Sequence, residues 1–147
     1  MSDSISIGRE VNIFINKINR IVSNNMSKFE ITGAQAHMIN FIQNASLTGD
    51  VFQKDIEREF DIRRSTATIA LQIMETKELI LKQSVPSDAR LKKITLTEKG
   101  MAVQKIVNEV IVQSEKKLRE ALSDQEFKTL LSVIEKLSNI NFAQEAL

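Results

Sequence analysis

The side chains best suited to chemistry are donors and cations, concentrated between residues 53 and 93, rather than nucleophile–base pairs. Ser65, Thr66 and Thr68 set three hydroxyls close together, with Arg63 and Arg64 before them and Gln72 one turn after. Arg90, Lys92 and Lys93 form a second cluster, with Lys82 and Asp88 ahead of it. From Asp61 to Lys93 seven cations stand against four anions, on a chain whose net charge is only +1. Small hydroxyl side chains at a helix start allow close approach to a duplex and donate to phosphates or base edges. Free backbone N–H groups at such an end also favour phosphate, and Gln72 has the donor and acceptor pair that suits adenine. Clustered cations on a nearly neutral protein mark a local basic face of the kind a DNA reader presents. The same clusters are also compatible with a solvated charged surface.

Other chemistry is poorly supplied. His37 is the only histidine, there is no cysteine, and four glycines form no phosphate-cradling loop. Disulfides, thiolate metal sites and thiol redox switching are excluded, and no enzyme activity, metal or cofactor is expected. No apolar run approaches the roughly 20 residues of a membrane helix. Met1 to Arg9 lacks the basic start and apolar stretch of a signal peptide, so the expected compartment is the cytoplasm.

Elements that could position these side chains follow from periodicity. Ile7, Val11, Phe14, Ile18, Ile21 and Val22 recur at helical spacing over about Ser6 to Ser27. Ile5, Ile13 and Ile15 widen that apolar surface beyond one core face, as in a helix that packs on a partner chain. Thr32 is placed to cap a second helix reaching about Asn44, with Ala36, Ile39, Phe41 and Ile42 as its apolar positions. A loop at Ser46–Asp50 leads to a short helix, Gln53–Phe60, with Ile56 and Phe60 facing inward. Asp61-Ile62-Arg63 connects it to a helix over Arg64–Lys77, whose start Ser65 and Thr66 can also cap. Two short helices so joined are a helix-turn-helix.

Leu79–Ser84 reads as extended, Val85–Ala89 as a turn around the only proline, and Lys92–Leu96 as an alternating strand, together a β-hairpin. Thr97 and Glu98 open a long helix to about Ala121, with Gly100 in its first turn where close packing at the hairpin base would require it. Ser123 and Glu126 form a capping box for a last helix, whose apolar positions are Phe127, Leu130, Leu131, Ile134, Leu137 and Ile140.

The segment Ile62–Gly100 resembles the MarR family of bacterial and archaeal regulators. The match runs through Arg64-Ser65-Thr66-Ala67-Thr68, Leu79-Ile80, and the stretch from Pro86 to Gly100, where Asp88-x-Arg90 precedes a strand ending Leu96-Thr97-x-x-Gly100. The resemblance implies a mainly α (α+β) fold: a winged helix-turn-helix with long N- and C-terminal dimerisation helices. Residues 31–100 would form the DNA-binding domain, and residues 1–30 and 101–147 the helical dimerisation region. It implies a homodimer that sets two recognition helices in successive major grooves of double-stranded DNA, at a near-palindromic site.

On that reading Arg64, Ser65, Thr66, Thr68 and Gln72 belong to the recognition helix. Arg90 enters a minor groove, held by a charged hydrogen bond that it donates to Asp88. Lys82, Lys92 and Lys93, with Gln53 and Lys54 as weaker candidates, meet phosphates. The resemblance further implies a cleft for a small aromatic or phenolic effector, lined by Ile13, Lys17, His37, Met38 and Phe41. The expected function is transcriptional regulation, more often repression, by occlusion of promoter DNA. A winged-helix protein–protein adaptor without DNA binding is the alternative.

The chain departs from the family pattern at four places. Ile69 and Ile73 stand where relatives often have an arginine and another polar residue; Ile69 either touches a thymine methyl or is buried by a different helix rotation. Phe52 replaces the usual capping hydroxyl, with Asp50 a substitute cap, and Glu78 replaces a common glycine before the wing.

Overall fold

The computed structural model describes residues 5–144, so residues 1–4 and 145–147 of the expected dimerisation region lie outside the described residues. The chain divides into two compact units, Met1–Ile111 and Val112–Leu147. The first contains α1 (Ile7–Met26), a short 3-10 turn at Ser27–Phe29, α2 (Gly33–Ser46), α3 (Gln53–Phe60), α4 (Arg64–Thr76), β1 (Ile80–Val85), β2 (Asp88–Leu96) and the start of α5 (Glu98–Glu120). The second contains the end of α5 and α6 (Asp124–Ser138), then a 3-10 turn at Phe142–Gln144.

Local signals account for most boundaries. The Ser6 hydroxyl accepts from the Arg9 N–H and starts α1. Thr32 and Gln35 close a reciprocal capping box on α2. Phe52 has no capping oxygen, and α3 is closed by the Asp55 carboxylate accepting the Phe52 N–H at 2.9 Å. Asp50 is not the cap; it pairs instead with Lys93 at 3.7 Å. Nor do Ser65 and Thr66 cap α4, which begins after Arg63 without a side-chain cap. Both hydroxyls are exposed. Thr97 caps α5, its hydroxyl accepting the Gly100 N–H at 2.9 Å while donating to the Glu78 carbonyl at 2.6 Å.

The core of the first unit gathers one face from each element. Val22 and Met26 of α1, Ile39 and Ile42 of α2, Ile56 of α3, and Leu71 and Met74 of α4 are fully buried with Leu79, Ile80, Ile94, Val103 and Val107. Each such side chain contributes roughly 1.5–3 kcal/mol by leaving water. Two glycines permit the closest approaches. A Cβ on Gly33 would lie 2.8 Å from the Asn19 carbonyl oxygen, which fixes how tightly α1 and α2 meet. A Cβ on Gly100 would overlap the Leu79 carbonyl oxygen and lie 3.3 Å from the Leu96 Cβ. The close packing expected at the hairpin base is thus present.

β1 and β2 pair antiparallel, from Ile80 with Leu96 to Ser84 with Lys92. Ile94 also receives Val51, its N–H donating to the Val51 carbonyl at 2.8 Å. Ile94 and Leu96 are buried, whereas Lys93 and Thr95 are half-buried, as the alternation requires. At the tip the register shifts: Val85 pairs with Asp88, leaving Ala89, Arg90 and Leu91 without partners across the ladder. Between α4 and β1, Glu78 adopts a left-handed conformation (φ 59°), the local departure announced by the missing glycine.

The apolar stripe of α1 is largely uncovered. Ile7, Val11, Phe14, Ile15 and Ile21 are exposed, Phe14 by 49%. In the second unit Ser123 and Glu126 form the expected capping box. Arg119 closes the turn into α6, bonding Asp124 at 2.8 Å and lying 4.0 Å from the Phe127 ring centroid. Leu130, Leu131, Ile134, Leu137 and Ile140 are all exposed, and α6 buries no residue within the single chain. Among the described residues no helix is long and apolar enough to cross a membrane.

Candidate nucleic-acid interface

The helix-turn-helix and the hairpin enclose a cleft of about 460 Å³ within the first unit. Its walls are Phe52, Gln53, Lys54 and Glu57 of the α3 region, Arg64 at the head of α4, Lys82 of β1, and Arg90, Leu91, Lys92 and Ile94 of β2. Five cations therefore converge with a single carboxylate, Glu57. Six of the twelve residues singled out as DNA contacts line this one surface, although they come from four elements. Concentrated positive charge beside a helix start attracts a phosphate backbone and gives salt-sensitive binding.

The remaining candidates divide by what their polar atoms already do. Gln53 donates its side-chain amide to the Thr68 hydroxyl at 2.9 Å and to the Arg64 carbonyl at 3.3 Å. The Thr68 hydroxyl in turn donates to the Arg64 carbonyl at 2.9 Å. Both side chains thus fasten α3 to the first turn of α4. Ser65, Thr66 and Gln72 are exposed on the outer face of α4. Ile69 shares that face and is 58% exposed, so of its two expected settings burial is ruled out.

The wing differs from expectation in one detail. Asp88 Oδ1 accepts the backbone N–H of Arg90 at 2.9 Å rather than its guanidinium. A carboxylate two residues back closes the turn locally, so Asp88 shapes the backbone and leaves the Arg90 side chain exposed. Lys92 donates to the Ser84 hydroxyl at 2.6 Å across the ladder. Lys93 is drawn to Asp50, and Lys77 donates to the Glu30 carbonyl, so these two cations are partly neutralised or used within the fold.

The five residues singled out for an effector lie on α1 and α2 and differ in burial. Met38 is buried in the core, His37 and Ile13 are half-buried, and Lys17 is exposed. Phe41 meets Phe60 edge-to-face at 5.8 Å and lines a second cleft, of about 260 Å³, with Asp50, Asp55 and Arg58. The other four line neither cleft. Among the described residues no group of three or more His, Cys, Asp or Glu could hold a metal ion.

Solved structures share this fold. The MarR family model matches residues 29–91, from the end of the first turn region to the wing tip. The transcription regulator MarR from Oenococcus oeni PSU-1 is 27% identical, with a TM-score of 0.80 over 92% of this chain and 100% of that one. The MepR–DNA complex of S. aureus is 22% identical, with a TM-score of 0.84 over 93% of this chain and 100% of that one. A cysteine-to-serine mutant of E. coli MarR, complexed with operator DNA, is 21% identical, with a TM-score of 0.75 over 89% and 92% of the two chains. The latter two share the fold. The MarR family model thus falls on the helix-turn-helix and most of the wing, and a transcription regulator 27% identical to this chain shares its fold along nearly the whole length, so residues 29–91 resemble the MarR family.

Proposed function

We propose that the chain represses transcription as a homodimer bound to a near-palindromic operator, and that a small aromatic or phenolic effector releases it. The observation that carries DNA binding is the cleft where Lys54, Arg64, Lys82, Arg90 and Lys92 converge beside the exposed face of α4. On this reading residues 31–100 bind DNA. Ser65, Thr66 and Gln72 face the major groove, Arg90 enters the minor groove, and Lys54, Lys82, Lys92 and Lys93 meet phosphates. Gln53, Thr68 and Asp88 position these groups.

Residues 1–30 and 101–147 supply the dimer contacts. Support comes separately from α1 and from α6, each of which leaves an apolar stripe uncovered in the single chain. Effector binding near Ile13, Lys17, His37, Met38 and Phe41 would favour a spacing of the recognition helices that no longer fits the operator.

A gel shift with the chain's own promoter DNA over a salt series tests the core of this reading. Binding should weaken steeply as salt rises, because phosphate contacts release counterions. A protein–protein adaptor would shift no duplex at any salt concentration.

A further inference from the structure

The outer face of α4 carries two isoleucines whose exposure the core does not explain. Ile69 lies roughly opposite the buried Ala67, Leu71 and Met74, and is 58% exposed. Ile73, one turn on, is 39% exposed. At about 100° per residue, Gln72 and Ile73 flank Ile69 on either side of that face. Isoleucine is a poor occupant of a solvated helix position: it is β-branched, lowers helix propensity and leaves apolar surface in water. Neither side chain belongs to the buried core of the first unit, yet both sit in the middle of the helix whose head is flanked by the cationic cleft.

The neighbouring polar groups narrow what this face can read. Thr76 donates its hydroxyl to the Gln72 carbonyl at 2.9 Å, so it is occupied within the helix. The Gln72 side-chain amide bonds no other group among the described residues. From Ser65 to Thr76 there is no arginine or lysine. The face therefore lacks the cationic donors that most often grip the two acceptors of guanine. An amide beside two aliphatic groups matches a different pattern. Adenine offers a donor and an acceptor to a side-chain amide, and thymine alone among the unmodified bases offers a methyl group in the major groove.

We infer that α4 selects A·T base pairs, with Gln72 on an adenine and Ile69 and Ile73 covering the C5-methyl groups of adjacent thymines. This rests on the DNA-binding reading above and adds to it the sequence class of the half-site.

The test is selection of bound duplexes from a random-sequence pool with the full chain, followed by replacement of thymine with deoxyuridine, which removes only the methyl group. Enriched half-sites should be A·T-rich at their centres. Deoxyuridine should lower wild-type affinity about fourfold per contacted methyl, the effect of unburying one such group. Ile69→Ala, which leaves the core untouched, should bind the thymine duplex equally weakly and should be indifferent to deoxyuridine at the position it contacts. Gln72→Ala should lose the adenine preference, roughly tenfold, while keeping the deoxyuridine effect. Selection of G·C-centred sites, or equal wild-type affinity for thymine and deoxyuridine duplexes, would overturn the inference and leave DNA binding intact. Failure to enrich any duplex would remove the DNA-binding reading itself, and this inference with it.

Discussion

Gln53 and Thr68 are joined by a 2.9 Å hydrogen bond that spans the turn of the helix-turn-helix. The bond sets the start of α3 against the start of α4, where both side chains also reach the Arg64 carbonyl, without using the side chain of either flanking arginine. A pair of this kind should show coupling. In a double-mutant cycle with Gln53→Ala and Thr68→Val, urea unfolding at fixed protein concentration should give an interaction energy of about 0.5–1.5 kcal/mol. Strict additivity would mean that the two residues stabilise the turn independently.

Arg90→Ala should weaken DNA binding by about 1–3 kcal/mol and make the salt dependence shallower by about one unit of log–log slope. Asp88 holds the backbone N–H at position 90, not the side chain, so the hairpin tip survives the substitution. Titrations at several salt concentrations, paired with light scattering, would show both effects. Unchanged affinity with an intact dimer would move the DNA contact away from the wing.

Gly100→Ala should destabilise the chain by about 3 kcal/mol, because the added Cβ meets the Leu79 carbonyl and Leu96 at the base of the wing. Gly8→Ala is the matched control. It sits in α1 with nothing within 4 Å of the new Cβ, and should be stabilising by up to about 1 kcal/mol. Thermal unfolding of both variants at equal concentration would check the contrast.

Glu78→Gly should stabilise the chain by about 0.5–1 kcal/mol, since the residue at φ 59° carries a Cβ in the left-handed region. Its backbone contacts, donating to the Glu75 carbonyl and accepting from Thr97, do not depend on the side chain. Denaturant midpoints at constant slope would report the gain.

Acid should loosen the second unit through Glu126. Its carboxyl is held below the ordinary value of 4.5, chiefly by the Ser123 backbone N–H and then by the Ser123 hydroxyl. A lowered folded value means that the stabilisation is complete above the unfolded value and is lost as pH falls through the folded one. A carboxyl-resolved NMR titration should place the Glu126 midpoint below 4.5. Glu126→Gln should flatten the acid side of the stability profile.

Legibility in the sequence followed the range of each interaction. Thr32 with Gln35 and Ser123 with Glu126 are pairs three residues apart, so the helix starts they specify stood in the sequence. Helix α3 was bounded correctly even though its cap was misassigned. Asp50 was available locally but was drawn to Lys93, a partner brought near by the pairing of Val51 with Ile94. The same limit hid the bond from Gln53 to Thr68, which depends on the angle between two helices rather than on spacing along one. Asp88 and Arg90 showed that a motif gives the proximity of two residues but not which of their atoms meet. Whether Ile69 pointed inward also waited on the fold, because Ala67, Leu71 and Met74 had first to define the buried side of α4.

The break in the ladder at Ser84 and Val85 separates two demands on the hairpin. Below it, Ile94 and Leu96 must keep their alternation, since a slip of one residue would turn both out of the core. Above it, Ala89 to Leu91 answer to no opposing strand. Tip length can therefore drift between relatives by a residue or more while the base stays in phase, which lets the reach of a wing diversify without a matching change in the body that carries it.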